Sequence, residues 1–177
     1  DWLDEQAELI NLYQNDNILY ELEMTYDALL HHKQTLEKIS TFQSQLTQKV
    51  TEKHSLDEII QAAHDVLHIP IVIEDIHGNA LSKFGLTEAQ YDMVQIKDCN
   101  LSIVEVNQNI TMYEGDSYLK LVAPVFINKK NYATCAFYYF DSQQIDTTDY
   151  LFLDRITTVV ALCILYEEAQ FEEQQRM

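Results

Sequence analysis

The chain has 177 residues, 47% of them hydrophobic, which suits one core plus helical extension and excludes a disordered chain. Its 29 acidic and 11 basic residues give a formal net charge of -18. A surface this acidic repels a phosphate backbone, so nucleic acid and anionic membrane are excluded as direct partners of this stretch.

No Gly or Pro precedes Pro70, so the first 68 residues lack the strongest helix breakers. Leu22, Tyr26, Leu29, Leu36, Ile39, Leu46 and Val50 recur on one helical stripe, with Glu21, Glu23, Lys33, Gln34 and Glu37 between them. This spacing predicts a long amphipathic helix suited to pairing with another, although Lys33, Ser40 and Gln43 interrupt strict heptads. Residues 1–20 extend it less clearly, through Leu9, Leu12, Tyr13 and Leu19.

Ser55 and Glu58 form a capping box, and Leu56, Ile59, Ile60, Ala63 and Leu67 share one face, so a helix is expected over 56–68. Pro70 stops it, and the β-branched run 69–75 reads as a strand. A turn at His77, Gly78 and Asn79 leads to a short strand at 80–84. Thr87 and Gln90 cap a short helix reaching about residue 95, and 101–113 reads as extended with a break near Asn107. Two strong strands at 119–127 and 132–140 flank a hairpin turn centred on Lys129 and Lys130. Asp146 to Asp149 offer N-cap oxygens for a final helix from about residue 150, apolar almost all round over 159–166.

Strands in a block between helices predict an α+β fold: an antiparallel sheet with long N- and C-terminal helices on one face and a loop-rich roof, 86–118, on the other. With the turn centred on Lys129 and Lys130, Phe126 opposes Ala133 and Pro124 opposes Cys135. One face then carries Phe126, Cys135, Phe137 and Tyr139. A roof of short helix and loop over an apolar sheet is a common way to build a cavity. The expected ligand pocket is lined by these four and by Tyr91, Tyr113 and Tyr118 above, aromatic walls that suit a flat, partly apolar effector.

Other chemistry finds less support. His64 and His68 stand i, i+4 but lack a third metal ligand. Cys99, Cys135 and Cys163 form no CxxC pair, which argues against a disulfide framework or structural zinc and fits a reducing cytoplasm. There is no basic-then-apolar leader, and the run 159–166 is too short to span a bilayer. No glycine cluster suggests a phosphate loop, and no cofactor is expected.

Three stretches resemble a GAF domain, and more narrowly the sensory domain of bacterial PucR/CdaR-type transcription regulators. They are Ser55-Leu56-Asp57-Glu58-Ile59-Ile60 with Ile69-Pro70-Ile71-Val72-Ile73-Glu74-Asp75; Leu121-Val122-Ala123-Pro124-Val125 with the hairpin after it; and Ala161-Leu162 with Tyr166-Glu167-Glu168-Ala169. The resemblance covers about residues 50–177 and leaves 1–50 as a helical extension. It departs where a Gly is common after the hairpin turn, since Ala133, Thr134 and Cys135 stand there. It implies a cytoplasmic, non-enzymatic sensor of an unidentified small molecule, with a helix-turn-helix beyond Met177. A module of another signalling protein and a thiol-dependent methionine sulfoxide reductase on the same fold stay open. The apolar helices imply a homodimer, with Leu22, Leu29, Leu36, Val160, Leu162 and Ile164 at its interface.

Overall fold

The computed structural model describes residues 1–97 and 100–176, with side chains for all of these except 96 and 97. The chain divides into two units, Asp1–Ser40 and Thr41–Met177. The first is all helix, part of α1 (Trp2–Thr51). The division falls earlier than residue 50 because Phe42, Leu46 and Val50, on the last turns of α1, are buried in the second unit's core.

The second unit continues with α2 (Leu56–Leu67), β1 (Ile71–Asp75), β2 (Ala80–Phe84), α3 (Glu88–Lys97), β3 (Ser102–Asn107), β4 (Ile110–Glu114), β5 (Tyr118–Ile127), β6 (Lys130–Phe140) and α4 (Thr147–Arg176). The expected α+β order holds. The six strands form one antiparallel sheet in the order β2-β1-β6-β5-β4-β3.

Local chemistry sets the boundaries. Ser55 Oγ accepts from Glu58 N at 3.2 Å and starts α2; His68, at φ 56°, closes it by donating its N–H to the His64 carbonyl at 2.7 Å. Asp75 Oδ1 accepts from the backbone of His77 at 2.8 Å and of Asn79 at 2.9 Å, folding the turn between β1 and β2. At the head of α4, Asp146 Oδ1 accepts from Thr148 N at 3.1 Å, so the helix begins at Thr147, a turn earlier than expected.

One sheet face packs on α2 and α4, and the last turns of α1 pack against α4. Phe42 meets Phe152 of α4 edge to face, with centroids 5.0 Å apart. Ser82 Oγ donates to Asp57 Oδ1 of α2 at 2.6 Å. Leu153, Ile156, Val159 and Val160 of α4 are fully buried. Each such side chain contributes on the order of 1.5–3 kcal/mol of burial free energy. Val160, expected at a dimer interface, therefore belongs to its own unit's core. Leu162 remains 40% exposed, and Ile164 is half-buried.

The hairpin register corrects the sequence expectation. Asn128 (φ 52°) and Lys129 (φ 66°) form a two-residue turn with Ile127 opposite Lys130, the left-handed pair that a tight hairpin requires. An irregularity between Val125 and Phe126 then leaves Val125 opposite Ala133, Pro124 opposite Thr134 and Ala123 opposite Cys135. The slip is one residue, so Val122 and Pro124 share a face with Ala136 and Thr134 rather than with Phe137 and Cys135.

Candidate functional site

The roof face of the sheet is built from Val72, Ala136, Tyr138, Phe140 and Tyr118, all buried, with Val94 of α3 packed on them and Leu86, Met93, Leu101 and Val122 around the margin. The Tyr118 ring lies 5.9 Å from both Tyr138 and Phe140, and the last two stack at 6.3 Å. Lys120, 8% exposed, holds its ammonium 5.3 Å over the Tyr138 ring. An aromatic face attracts a cation, so Tyr138 helps to hold this buried charge.

Beside this core, where β2 turns into α3, the roof opens into a cleft of about 670 Å³. Lys83, at its wall, sets its Nζ 3.4 Å over the ring of Tyr91. The Tyr91 hydroxyl accepts from Gln95 Nε2 at 2.8 Å, which fixes the ring from the far side. The floor turns at Gly85, at φ +95°, where a Cβ would stand 2.5 Å from His64 Cε1 and 3.0 Å from Pro70 Cα. Only glycine allows so close an approach in that backbone region. Thr87 Oγ1 accepts from Gln90 N at 3.1 Å, and Thr87 N donates to Gln90 Oε1 at 3.0 Å, the expected capping box. Glu88 and Asp92 complete the rim. The cleft lining thus holds one cation, two aromatic side chains, Phe84 and Tyr91, and two carboxylates, a set suited to binding.

The seven residues expected to line one pocket do not come together. Tyr91 is at the cleft, Tyr118 is in the roof core, and Tyr113 is half-buried on β4, paired with Lys120. Cys135, Phe137 and Tyr139 alternate with the roof-facing Ala136 and Tyr138, so they point at the helices, and Tyr139 bonds to Asp149 of α4. Phe126 stands at the hairpin irregularity, 49% exposed. Sequence reasoning missed Lys83, Tyr138 and Phe140. No turn placement could have found Tyr138 and Phe140, since register pairs β5 with β6 residues while helix cover decides which face of β6 is the roof.

Cys135 is fully buried, and burial pushes its thiol far above the ordinary range. Burial, then the neighbouring Glu167, pushes Cys163 up to about 12. Cys99 lies outside the described residues. His64 Nδ1 is 2.9 Å from the Ile69 carbonyl, with its ring tilted against Phe84. Among the described residues no three His, Cys, Asp or Glu side chains gather to hold a metal, and no helix is long and apolar enough to cross a membrane.

No protein-family model matches the chain, and no curated protein does. Among solved structures, the chain is similar to the phycoerythrobilin-bound GAF domain from a cyanobacterial phytochrome. The identity is 10%, the TM-score is 0.45, and 73% of this chain and 97% of that one are covered. It is similar to the A. aeolicus nlh2 GAF domain in an inactive state, with 10% identity, a TM-score of 0.47, and 77% and 99% covered. It is also similar to the GAF domain from Acinetobacter phosphoenolpyruvate-protein phosphotransferase, with 12% identity, a TM-score of 0.44, and 73% and 93% covered.

Proposed function

We propose that this chain is a GAF-type sensory domain that binds a small molecule in the cleft between β2 and α3 and regulates an attached output, without catalysing a reaction itself. The observation that carries this reading is the asymmetry of cover on the sheet. Helices pack one face closely, while the other is roofed by α3 and loops that leave a cleft walled by Lys83 and Tyr91. Such a cleft suits a small metabolite with an anionic group for Lys83 and a flat portion for Tyr91.

The output in this reading is a DNA-binding domain, as the resemblance of residues 50–177 to PucR/CdaR-type regulators suggests. The domain works as a cytoplasmic homodimer through its flanking helices. Leu22 (60% exposed), Leu29 (64%) and Leu36 (46%) of α1, with Leu162 of α4, are the surfaces left to a second copy. Ligand binding favours one packing of roof on sheet and so biases the helices. The thiol-enzyme alternative would rest on Cys99, since Cys135 and Cys163 are buried.

Native mass spectrometry of the chain as purified from cells tests the binding reading. We expect a small-molecule adduct that is lost on denaturation and absent from Lys83→Ala/Tyr91→Ala protein. An adduct unchanged in that variant would place binding elsewhere and reject the cleft.

A further inference from the structure

Between residues 8 and 36, α1 carries a seam whose polar members decide how it pairs. Leu12, Leu19, Tyr26 and Lys33 repeat every seven residues. Glu8, Asn15, Leu22, Leu29 and Leu36 form a second set, interleaved with the first at alternating steps of four and three. That is the a/d spacing of a coiled-coil seam. The apolar members stand open, with Leu12 58%, Leu19 57% and Tyr26 66% exposed. Lys33 has an exposed ion pair with Glu37 at 4.0 Å.

A two-fold pairing of this seam can run either way. In a parallel pair every residue opposes its own copy. Lys33 then meets Lys33 and Glu8 meets Glu8, two like-charge contacts inside the seam. In an antiparallel pair centred between Tyr20 and Glu21, residues equidistant from the centre oppose each other, so that each contact occurs twice. Leu19 then meets Leu22, Leu12 meets Leu29, Tyr26 meets Asn15, and Lys33 meets Glu8. The Leu19–Leu22 and Leu12–Leu29 layers are apolar on both sides, Tyr26 meets Asn15, Leu36 lies opposite Glu5, and Lys33 and Glu8 become ion pairs. The rest of the helix points the same way. Residues 1–32 hold eight acidic residues and no Lys or Arg, while Lys33 and Lys38 lie beyond them. Only the antiparallel arrangement brings those lysines to the acidic end of the other copy.

We infer that α1 pairs antiparallel with a second copy of this chain, with Lys33 of each copy against Glu8 of the other. This rests on the reading of α1 as a dimerisation helix and adds its orientation. It sets Ser40 of the two copies at opposite ends of the coil, about 60 Å apart at 1.5 Å per residue.

The test uses the full chain with Cys99→Ser, carrying either Asn15→Cys or Tyr26→Cys. Mass is measured by light scattering at micromolar concentration, and cross-linking by mild oxidation and a non-reducing gel. We expect a dimer whose disulfide forms when the two variants are mixed and not from either alone. Lys33→Glu should weaken dimerisation about tenfold or more, since it faces Glu8 with a second anion at two places. Adding Glu8→Lys should restore it. A dimer in which Asn15→Cys alone cross-links, with Lys33→Glu neutral, overturns the orientation and leaves the dimer reading standing. A monomer overturns both.

Discussion

The Tyr139 hydroxyl donates a 2.8 Å hydrogen bond to Asp149 Oδ2, tying the end of β6 to the first turn of α4. The same oxygen accepts from Asp146 N at 3.0 Å, so one buried carboxylate fixes both the strand and the loop before the helix. Burial pushes the Tyr139 hydroxyl far above its ordinary range, with the Asp149 charge adding to this, so it remains a donor at every working pH. Tyr139→Phe should destabilise the chain by about 1.5–3 kcal/mol, the range for a hydrogen bond to a charged group. Urea unfolding followed by far-UV circular dichroism would show the lower midpoint.

Asp149 also makes stability depend on pH. Burial raises its carboxyl above the ordinary 3.8, against the opposing pull of the Tyr139 bond. A raised carboxyl binds its proton more tightly when folded. Its contribution is therefore fully present below pH 3.8 and declines as pH rises through the folded value. Asp149→Asn removes that titration. The stability of wild type relative to Asp149→Asn should fall as pH rises from below 3.8, as measured by urea midpoints in matched buffers. A difference that grew with pH would mean that the Tyr139 bond outweighs desolvation.

Gly85 and Gly78 offer a paired comparison. Both have positive φ, +95° and +83°, but a Cβ at Gly78 meets nothing within 4 Å, whereas one at Gly85 meets His64 and Pro70. Gly78→Ala should cost about 1 kcal/mol of backbone strain. Gly85→Ala adds overpacking, for a total of roughly 2–4 kcal/mol, and should disturb the cleft floor. Thermal melts of the two variants would check the order.

Cys135 and Cys163 should resist thiol reagents while the chain is folded. Both are buried, with thiols raised by desolvation. Peptide mapping after brief alkylation should find both unmodified in buffer and modified in urea.

Much of the fold was legible because its signals are local. The Ser55–Glu58 and Thr87–Gln90 boxes placed two helix starts, Pro70 placed a stop, and the hairpin strands were apolar enough to stand out. The site was not legible, because strand alternation separates two apolar faces but does not say which one the terminal helices cover. Asn128 is at home in the left-handed region, but Lys129 is not, and nothing nearby marked the irregularity at Val125 and Phe126. That slip grouped Val122 and Pro124 with the wrong β6 residues, and the expected pocket was placed on the Cys135, Phe137 and Tyr139 face, which the helices cover. The destination of α4 was hidden for a different reason. A helix apolar all round does not say which side its own sheet will cover, and Val160 went to the core while Leu162 did not.

The central claim is that the cleft between β2 and α3 binds a small molecule, and the most direct measurement is a thermal-shift titration of the full chain. A panel of small metabolites with an anionic group and a flat or apolar portion would be used. At least one compound should raise Tm saturably, as preferential binding to the folded state requires. The shift should disappear in Tyr91→Ala and shrink in Lys83→Met. A Tm that no compound moves, or a shift that survives both substitutions, would contradict the account.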